Sequence, residues 1–336
     1  PPTMVTGLPR ATAVAAGKHH SVALSEKGMV YEWGDSPYQA VQVAMEPAGN
    51  ESTKPSTRVE KPMRIPGVLP AKAVVASDGV TVILARNGEV YCWDLATLPQ
   101  RIPGLENIKS ISVGASHGIA LREDGAVLTW GGNVDGALGH PTAPKSADES
   151  ICRNFNVQVV MDDAVAIGAG VSSSFAVQPN GAIWGWGMNT FHKITTPRSF
   201  DTPRRIATVS AAAELVGGFQ NFVARTTDGK VFAWGDNQSF IATPAGKSQE
   251  GANPIDMGFD NVAQLSAYDH IVALTHDGYL CSWGDNANGQ ALWNSKLKTI
   301  ANPTPIVLAD GTTPFNLHTD KQAHQQEPVH ICGVDK

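Results

Sequence analysis

The stretch GASHGIALREDGAVLTWG, residues 114–131, contains the pattern that decides the fold, because the same spacing occurs six times along the chain. In each copy a glycine is followed five residues later by a tryptophan, and an apolar residue stands two positions after the glycine. The glycines are Gly28, Gly88, Gly125, Gly181, Gly229 and Gly278, and the tryptophans are Trp33, Trp93, Trp130, Trp186, Trp234 and Trp283. A recurrence of this regularity indicates a repeat protein.

Each repeat predicts a β-hairpin. In the first repeat the β-prone segments SVAL, residues 21–24, and MVYEW, residues 29–33, flank a turn at Gly28, where glycine supplies the positive φ of a tight reversal. A third segment, rich in small residues, precedes each hairpin. A fourth follows a proline, as at Pro62 and Pro303, which suits an exposed edge strand. Four strands per repeat, arranged radially, predict an all-β fold, the β-propeller.

The full pattern Gly-x-x-His-x-x-Ala-Leu-x-x-x-Gly-x-Val-x-x-Trp-Gly resembles the repeat of the regulator of chromosome condensation family. In the first copy it is carried by Gly17, His20, Ala23, Leu24, Gly28, Val30, Trp33 and Gly34. Other copies depart from it: Val80, Ser173 and Asn221 replace the histidine, Arg225 replaces the leucine, and Asp94 follows its tryptophan. The resemblance extends from about Val5 to Leu308 and implies a β-propeller, usually of seven blades.

The number of blades follows from the two ends of the sequence. The segment VHICG, residues 329–333, resembles the small segment before each hairpin, and PPTMV, residues 1–5, resembles an outer strand. We therefore expect residues 1–336 to form a single propeller domain of seven blades, the last built from both ends and incomplete in this sequence. A six-bladed ring is the alternative.

Composition narrows the classes of function. Hydrophobic residues make up 42% of the chain and charged residues 17%, and the net charge of -6 argues against a nucleic-acid surface. The chain has no run of 18 apolar residues, so we expect no membrane span. The four cysteines lack Cys-x-x-Cys spacing and predict reduced structural thiols, which favours an intracellular location without distinguishing cytoplasm, nucleus and an organelle such as the mitochondrion.

The spacing of the repeats points to two insertions. Successive repeat glycines are 60, 37, 56, 48 and 49 residues apart, which places insertions at residues 35–61 and 133–161. Both begin at the same point of the repeat, so they are expected on one face of the ring, which in repeat proteins is often the binding face. Simple surface loops are the alternative. The candidate partner-binding residues are Tyr38, Met45, Arg58, Arg153, Phe155 and Trp293.

No pattern in the sequence predicts catalysis. His20, His117 and His270 share one repeat position and are expected to make structural hydrogen bonds within their blades rather than a metal site. The residues around Ser172–Ser174 lack a nucleophile elbow, and no glycine-rich phosphate loop is present. We therefore expect a protein that is not an enzyme, with no metal and no cofactor.

Three functions are consistent with these features. We favour a non-catalytic interaction module or scaffold that binds protein partners, as a subunit of a larger assembly. The family resemblance also implies a guanine-nucleotide exchange factor for a Ran-like small GTPase, acting through a protruding wedge, and a secreted propeller that inhibits an enzyme. A plant photoreceptor of the family uses Gly-Trp-Arg-His-Thr motifs, which this chain lacks.

Overall fold

Six four-stranded antiparallel sheets follow one another in the computed structural model, which describes residues 5–45, 58–141, 150–188, 199–218, 221–235, 251–317 and Cys332. In blades 1 to 3 the strands are β1 (Ala11–Ala16), β2 (His20–Ser25), β3 (Val30–Asp35), β4 (Arg58–Arg64), β5 (Ala71–Ser77), β6 (Val80–Ala85), β7 (Val90–Asp94), β8 (Thr97–Arg101), β9 (Ile108–Val113), β10 (His117–Arg122), β11 (Val127–Gly131) and β12 (Gln158–Met161). In blades 4 to 6 they are β13 (Ala166–Ala169), β14 (Ser173–Val177), β15 (Ala182–Met188), β16 (Ser199–Thr208), β17 (Ala212–Gly217), β18 (Asn221–Thr226), β19 (Val231–Gly235), β20 (Gly251–Asp256), β21 (Val262–Ala267), β22 (His270–Thr275), β23 (Leu280–Asp285) and β24 (Thr299–Pro305). One helix, α1 (Pro37–Met45), and a 3-10 turn, Val134–Gly136, interrupt this order.

The predicted hairpin is the centre of every blade. The six repeat glycines have φ values between 77° and 89°, which only glycine adopts readily. In blade 1 the register pairs Leu24 with Val30 and Ser21 with Trp33. The outer strands β4, β8, β16, β20 and β24 each contain a proline, as the sequence predicts for an unpaired edge. The four-stranded antiparallel blade is therefore confirmed.

The six sheets are arranged as propeller blades. The first strand of each blade contacts the first strand of the next: β1 with β5, β5 with β9, β9 with β13, β13 with β17, and β17 with β21. Between β21 and β1 the described residues make no contact of comparable extent. The structure thus shows six propeller blades, and a seventh blade is not among the described residues.

The repeated tryptophans lie between blades. Trp93 of blade 2 donates its indole N–H to Glu32 of blade 1 at 3.0 Å. Trp186 of blade 4 donates its indole N–H at 2.9 Å to the carbonyl of Ala137, which lies after strand β11 of blade 3. Trp93, Trp130, Trp186, Trp234 and Trp283 are at most 1% exposed. Trp33 of blade 1 is only half-buried, because no described blade precedes it.

Two of the three repeated histidines, His20 and His117, also connect blades, which corrects the expectation that they bond within their own blades. Nε2 of His20 lies 3.0 Å from the hydroxyl of Thr81 in blade 2, and Nε2 of His117 lies 2.9 Å from the hydroxyl of Ser174 in blade 4. The imidazole rests on the glycine three residues earlier, since a Cβ on Gly114 would lie 2.3 Å from Cε1 of His117. The Gly-x-x-His spacing is therefore a packing requirement.

All four cysteines are paired, so the prediction of reduced thiols is wrong. Cys92 is bonded to Cys152 with 5.5 Å between Cα atoms, and Cys281 is bonded to Cys332 with 5.9 Å between them. The partners are 60 and 51 residues apart in sequence. The ring brings them together through connections whose path the spacing of cysteines does not reveal.

Cys332 is the only described residue of the segment predicted to begin the closing blade. Its partner Cys281 lies two residues before Trp283 on β23, and therefore on the same face of the sheet. Both belong to the cluster that contains Val231 and Ala233 of blade 5. Cys332 thus lies on the side of blade 6 that faces blade 5. This position does not match an innermost strand of a seventh blade, and the other residues of 329–333 are outside the described part of the chain.

Burial between blades shifts three ionisable groups. Glu32 is fully buried, and loss of hydration raises the pKa of its carboxyl from 4.5 to about 7, although the bond from Trp93 and the neighbouring Ser36 and Tyr38 partly oppose this. Burial lowers the pKa of both His20 and His117 from 6.5 to about 4. The histidines are therefore neutral hydrogen-bonding groups at neutral pH.

We predict that Trp130→Ala lowers the free energy of unfolding by about 3–5 kcal/mol, because it leaves a cavity between blades 2 and 3. Trp293, which is 36% exposed, provides the matched control, and Trp293→Ala should cost much less. Denaturant unfolding of both variants measures the difference. Equal losses would contradict the interblade role of the repeat tryptophan.

We predict that Glu32→Gln gains stability relative to the natural protein as the pH rises from 4.5 to 7. The folded protein holds the proton of Glu32 across this window whereas the unfolded chain releases it, so the free energy of unfolding of the natural protein falls as the pH rises. The glutamine still accepts from Trp93 and carries no charge. From pH 4.5 to 8 the variant should gain about 3 kcal/mol on the natural protein.

Denaturant unfolding of both proteins at pH 4.5, 6 and 8 tests this. The two histidines bind protons more weakly in the folded state and cost stability as the pH falls below 6.5, but equally in both proteins, so they cancel in the difference. A difference that does not change with pH would disprove the assignment.

Candidate interaction surface

Both insertions leave the ring at the same end of their blades. The first follows β3, and the second follows β11, which are the third strands of blades 1 and 3. The loops between the first and second strands, such as Asp78–Gly79 and Ala115–Ser116, emerge at this end as well. We call this end of the ring the insertion face. Residues 46–57 and 142–149 of the insertions lie outside the described part of the chain.

The first insertion begins with helix α1, which lies against blade 2. Ser36 caps the helix, because its hydroxyl accepts the N–H of Gln39 at 3.1 Å. The helix contacts β7 and β8, and Tyr38 packs on the cluster that contains Trp93. Met45 is the last residue of α1, and its side chain is not described. Arg58, exposed at the start of β4, pairs in register with Asp35.

The first part of the second insertion forms a surface on which blade 4 packs. The side-chain oxygen of Asn133 accepts the N–H of Leu138 at 3.1 Å, and the carbonyl of Leu138 accepts the hydroxyl of Thr129 at 2.7 Å. This turn directs the carbonyl of Ala137 to Ser174 and Trp186, each at 2.9 Å. The asparagine and glycines of GGNVDGALG, residues 131–139, therefore shape a contact between blades.

The second insertion then returns to blade 2, on the side opposite α1. Cys152 is disulfide-bonded to Cys92 of β7, and its carbonyl accepts the side-chain amide of Gln100 in β8 at 2.6 Å. The side-chain amide of Asn154 donates to the carbonyl of Gly131 at 3.1 Å. Phe155 is half-buried against the cluster between blades 2 and 3. Residues 150–155 are thus fixed to the outer half of blade 2 through Cys152 and to β11 of blade 3 through Asn154, and we call them the returning segment.

Asp94 is the main polar anchor of the returning segment. It is the only residue other than glycine that follows a repeat tryptophan, and its side chain is 8% exposed. It accepts the N–H of Ala96 at 2.8 Å and the hydroxyl of Thr97 at 2.9 Å, which fixes the two-residue turn between β7 and β8. It also accepts the hydroxyl of Ser150 and lies 3.6 Å from Nε of Arg153.

A cleft of about 410 Å³ opens on the insertion face between blades 2 and 3. Leu95, Ser116, Ile151 and Arg153 are among its lining residues, and Leu95 is 57% exposed. Its acidic groups already have basic partners: Arg153 lies beside Asp94, and Lys18 lies 3.4 Å from Asp78. The cleft is therefore close to neutral, with an apolar residue at its rim.

The candidate residues predicted from the sequence fall into two groups. Tyr38 and the pair Arg153 and Phe155 lie on opposite sides of blade 2, so the structure brings the two insertions to one blade. Trp293 belongs to blade 6, where its indole N–H donates to the carbonyl of Val307 at 3.1 Å. Sequence reasoning missed Asp94 as an anchor, although its departure from the Trp-Gly pattern was the available signal.

The described ranges contain no group of three histidine, cysteine or acidic side chains placed to hold a metal ion. No helix within them has both the length and the apolar character needed to cross a bilayer.

Comparison with known proteins places these features in context. Protein pim1 of Schizosaccharomyces pombe is 25% identical over 305 residues, covering 76% of this chain and 55% of that protein. The ultraviolet-B receptor UVR8 of Arabidopsis thaliana is 24% identical over 291 residues, covering 79% of this chain and 63% of the receptor. The chain therefore spans less than two thirds of the length of these curated relatives.

Solved structures share the fold. Human WBSCR16 superposes with a TM-score of 0.72 at 16% identity, covering 91% of this chain and 84% of that one. The structure of Kap60 bound to yeast RCC1 (Prp20) gives a TM-score of 0.70 at 20% identity, covering 89% and 75%. The family model of the regulator of chromosome condensation (RCC1) repeat matches residues 108–137 and 212–240. The chain carries repeats of the regulator of chromosome condensation family.

Proposed function

We propose that this protein is a non-catalytic interaction module that binds protein partners through the two insertions held on blade 2. The observation that carries the proposal is the convergence of α1 and the returning segment on β7 and β8 from opposite sides. Fixing α1 and the returning segment before binding lowers the entropy lost when a partner docks. Tyr38, Met45, Arg58, Arg153 and Phe155 are the proposed contact residues in insertions 35–61 and 133–161, and Trp293 is a separate one.

The buried Ser-His pair supports a structural role for these residues rather than catalysis. Ser174 and His117 resemble a nucleophile and its base, but both are fully buried. The hydroxyl of Ser174 also donates to the carbonyl of Ala137. The hydroxyl therefore exposes no surface to a substrate, and both of its partners belong to blade 3 or to the connection that follows β11.

We propose that a seventh blade fills the space between blades 6 and 1. Val14 occupies the register position of Val74, Ile111, Ile167, Leu215 and Leu265, which are 4–9% exposed, whereas Val14 is 70% exposed. On the other side of the space, Val272 and Leu274 are half-buried at positions that are buried in blade 1 as Val22 and Leu24. Both sheets present core positions that a neighbouring blade would cover.

The path of the chain after blade 6 supports the same proposal. The N–H of Leu317 donates to the carbonyl of Gly278 at 2.8 Å. In each of the other blades an equivalent bond to the turn glycine forms where the chain enters the next blade. For example, the N–H of Ala71 donates to the carbonyl of Gly28 at 2.9 Å, and the N–H of Val262 donates to the carbonyl of Gly229 at 3.0 Å. The bond at Leu317 therefore marks the expected entry to a seventh blade.

Two observations bear on the location of the protein. One relative, RUG3 of Arabidopsis thaliana, carries the word mitochondrial in its name and is 27% identical over 196 residues, covering 52% of this chain and 42% of that protein. Because all four cysteines are disulfide-bonded, they no longer support a location in a reducing compartment. We retain an intracellular location as a proposal, which fractionation of native cells tests.

We predict that the double variant Tyr38→Ser with Phe155→Ser loses the partners that co-purify with the tagged natural protein from its own cells. Both side chains are half-buried, so an unfolding curve must first show that the variant is folded. Leu297→Ser, at a residue that is 65% exposed in blade 6, provides the control and should retain the partners. Mass spectrometry of the eluates measures the loss.

Unchanged capture by the folded double variant would overturn the proposed surface. A fixed set of subunits recovered in equal amounts would support a scaffold. A small GTPase recovered only after EDTA strips its nucleotide would favour the exchange factor instead. A single secreted enzyme as the partner would favour the inhibitor.

We predict that Val14→Asp lowers the free energy of unfolding of the natural full-length protein by several kcal/mol, because the seventh blade would bury the new charge. Leu297→Asp, at a position exposed in the structure, should change it by no more than about 0.5 kcal/mol. Thermal or denaturant unfolding measures both. Equal, small effects would argue for a ring that stays open at Val14.

A further inference from the structure

The disulfide between Cys92 and Cys152 joins one strand of blade 2 to an insertion of blade 3. Neither residue exposes any surface. Around it, Gln100 holds the carbonyl of Cys152, and Asp94 holds Ser150 and Arg153. The bond thus lies beneath the same returning segment that carries the proposed contact residues Arg153 and Phe155.

This burial determines how the disulfide can react. A thiolate must approach one sulfur atom along the S–S axis, and neither cysteine has any exposed surface. Reduction therefore requires a local opening around the bond, and detachment of the returning segment, which carries Cys152, would provide it. Such local openings are governed by the contacts that are lost, which here include those of Asp94 with Ser150 and Arg153, the bond from Gln100 and the burial of Ile151.

We propose that the Cys92–Cys152 disulfide is a redox-sensitive clasp of the interaction surface, and that its reduction by a dithiol releases the returning segment and weakens partner binding. The regulatory part rests on the proposed function. One thiolate of the dithiol attacks the sulfur of one cysteine, forms a mixed disulfide with it and displaces the other cysteine as a thiolate. The second thiol of the dithiol then attacks the dithiol sulfur of this mixed disulfide and displaces the remaining cysteine. The disulfide gains two electrons and two protons, and the dithiol becomes a cyclic disulfide.

The intracellular location proposed above gives this chemistry a setting. Disulfides inside cells are usually transient and often act in redox sensing, because thiol reductants are abundant there. A covalent bond that closes only when the returning segment is docked would report and stabilise that docked state. Asp94 sets how readily the segment opens, so it is a positioning residue for the clasp.

The first test measures how fast dithiothreitol reduces each disulfide in the folded protein, using alkylation and peptide mass spectrometry. Asp94→Ala should raise the rate for Cys92–Cys152 at least about tenfold, because the segment loses its charged anchor. Asp94→Asn keeps the acceptor for Ser150 and should give a smaller increase. Asp124→Ala, at an exposed turn carboxylate, should leave the rate unchanged.

The Cys281–Cys332 disulfide of the same molecules is the internal control. Its rate should not change in the Asp94 variants. An unchanged rate for Cys92–Cys152, or an equal increase for both disulfides, would overturn the local opening and with it the clasp.

The second test uses Cys152→Ser, which cannot form the bond. Trypsin should cleave after Arg153 several-fold faster in this variant, and in the reduced natural protein, than in the oxidised natural protein. The variant should also recover several-fold less of the partner set that the oxidised natural protein captures. Equal cleavage and equal capture would overturn the clasp while leaving the proposed function intact, whereas only the variant at Tyr38 and Phe155 tests that function.

Discussion

The packing of one tryptophan per repeat against the preceding sheet is the constraint on which the ring depends. Trp93 reaches back to Glu32, and Trp186 reaches back to the carbonyl of Ala137, so the contact has a direction along the chain. A histidine reaches forward in the same interfaces at His20 and His117. These two interfaces therefore combine an apolar ring with hydrogen bonds from both neighbours, which fixes the order and orientation of their blades.

The sequence predicts the blades well because their determinants are local. A turn glycine, a tryptophan five residues later and a proline in the edge strand each act within one repeat, so Gly125 and Trp130 suffice to place a hairpin. The interactions between repeats were less predictable. The partners of His20 and Cys92 are 61 and 60 residues away, and only the closure of sheet against sheet brings them together. The candidate surface depends on such contacts, which is why Asp94 went unrecognised.

The exposed side of strand β1 shows how far a repeat can be interpreted alone. Val14 and Val74 occupy the same register position, yet one is 70% exposed and the other 8%. Among the described residues, blade 1 has a neighbouring blade only on the side of blade 2. Burial in a propeller is therefore a property of pairs of blades, and the stability of a repeat protein is a sum of terms within repeats and terms at the interfaces between them.

The two-residue turn at Leu95–Ala96 has a consequence for how this ring can change. Exposed turns usually accept inserted residues readily. This turn is instead flanked by α1 on one side and the returning segment on the other, and Asp94 fixes its shape. The shortest of the connections between third and fourth strands is thus the one with least room to grow, since a longer turn would collide with α1 or with the returning segment.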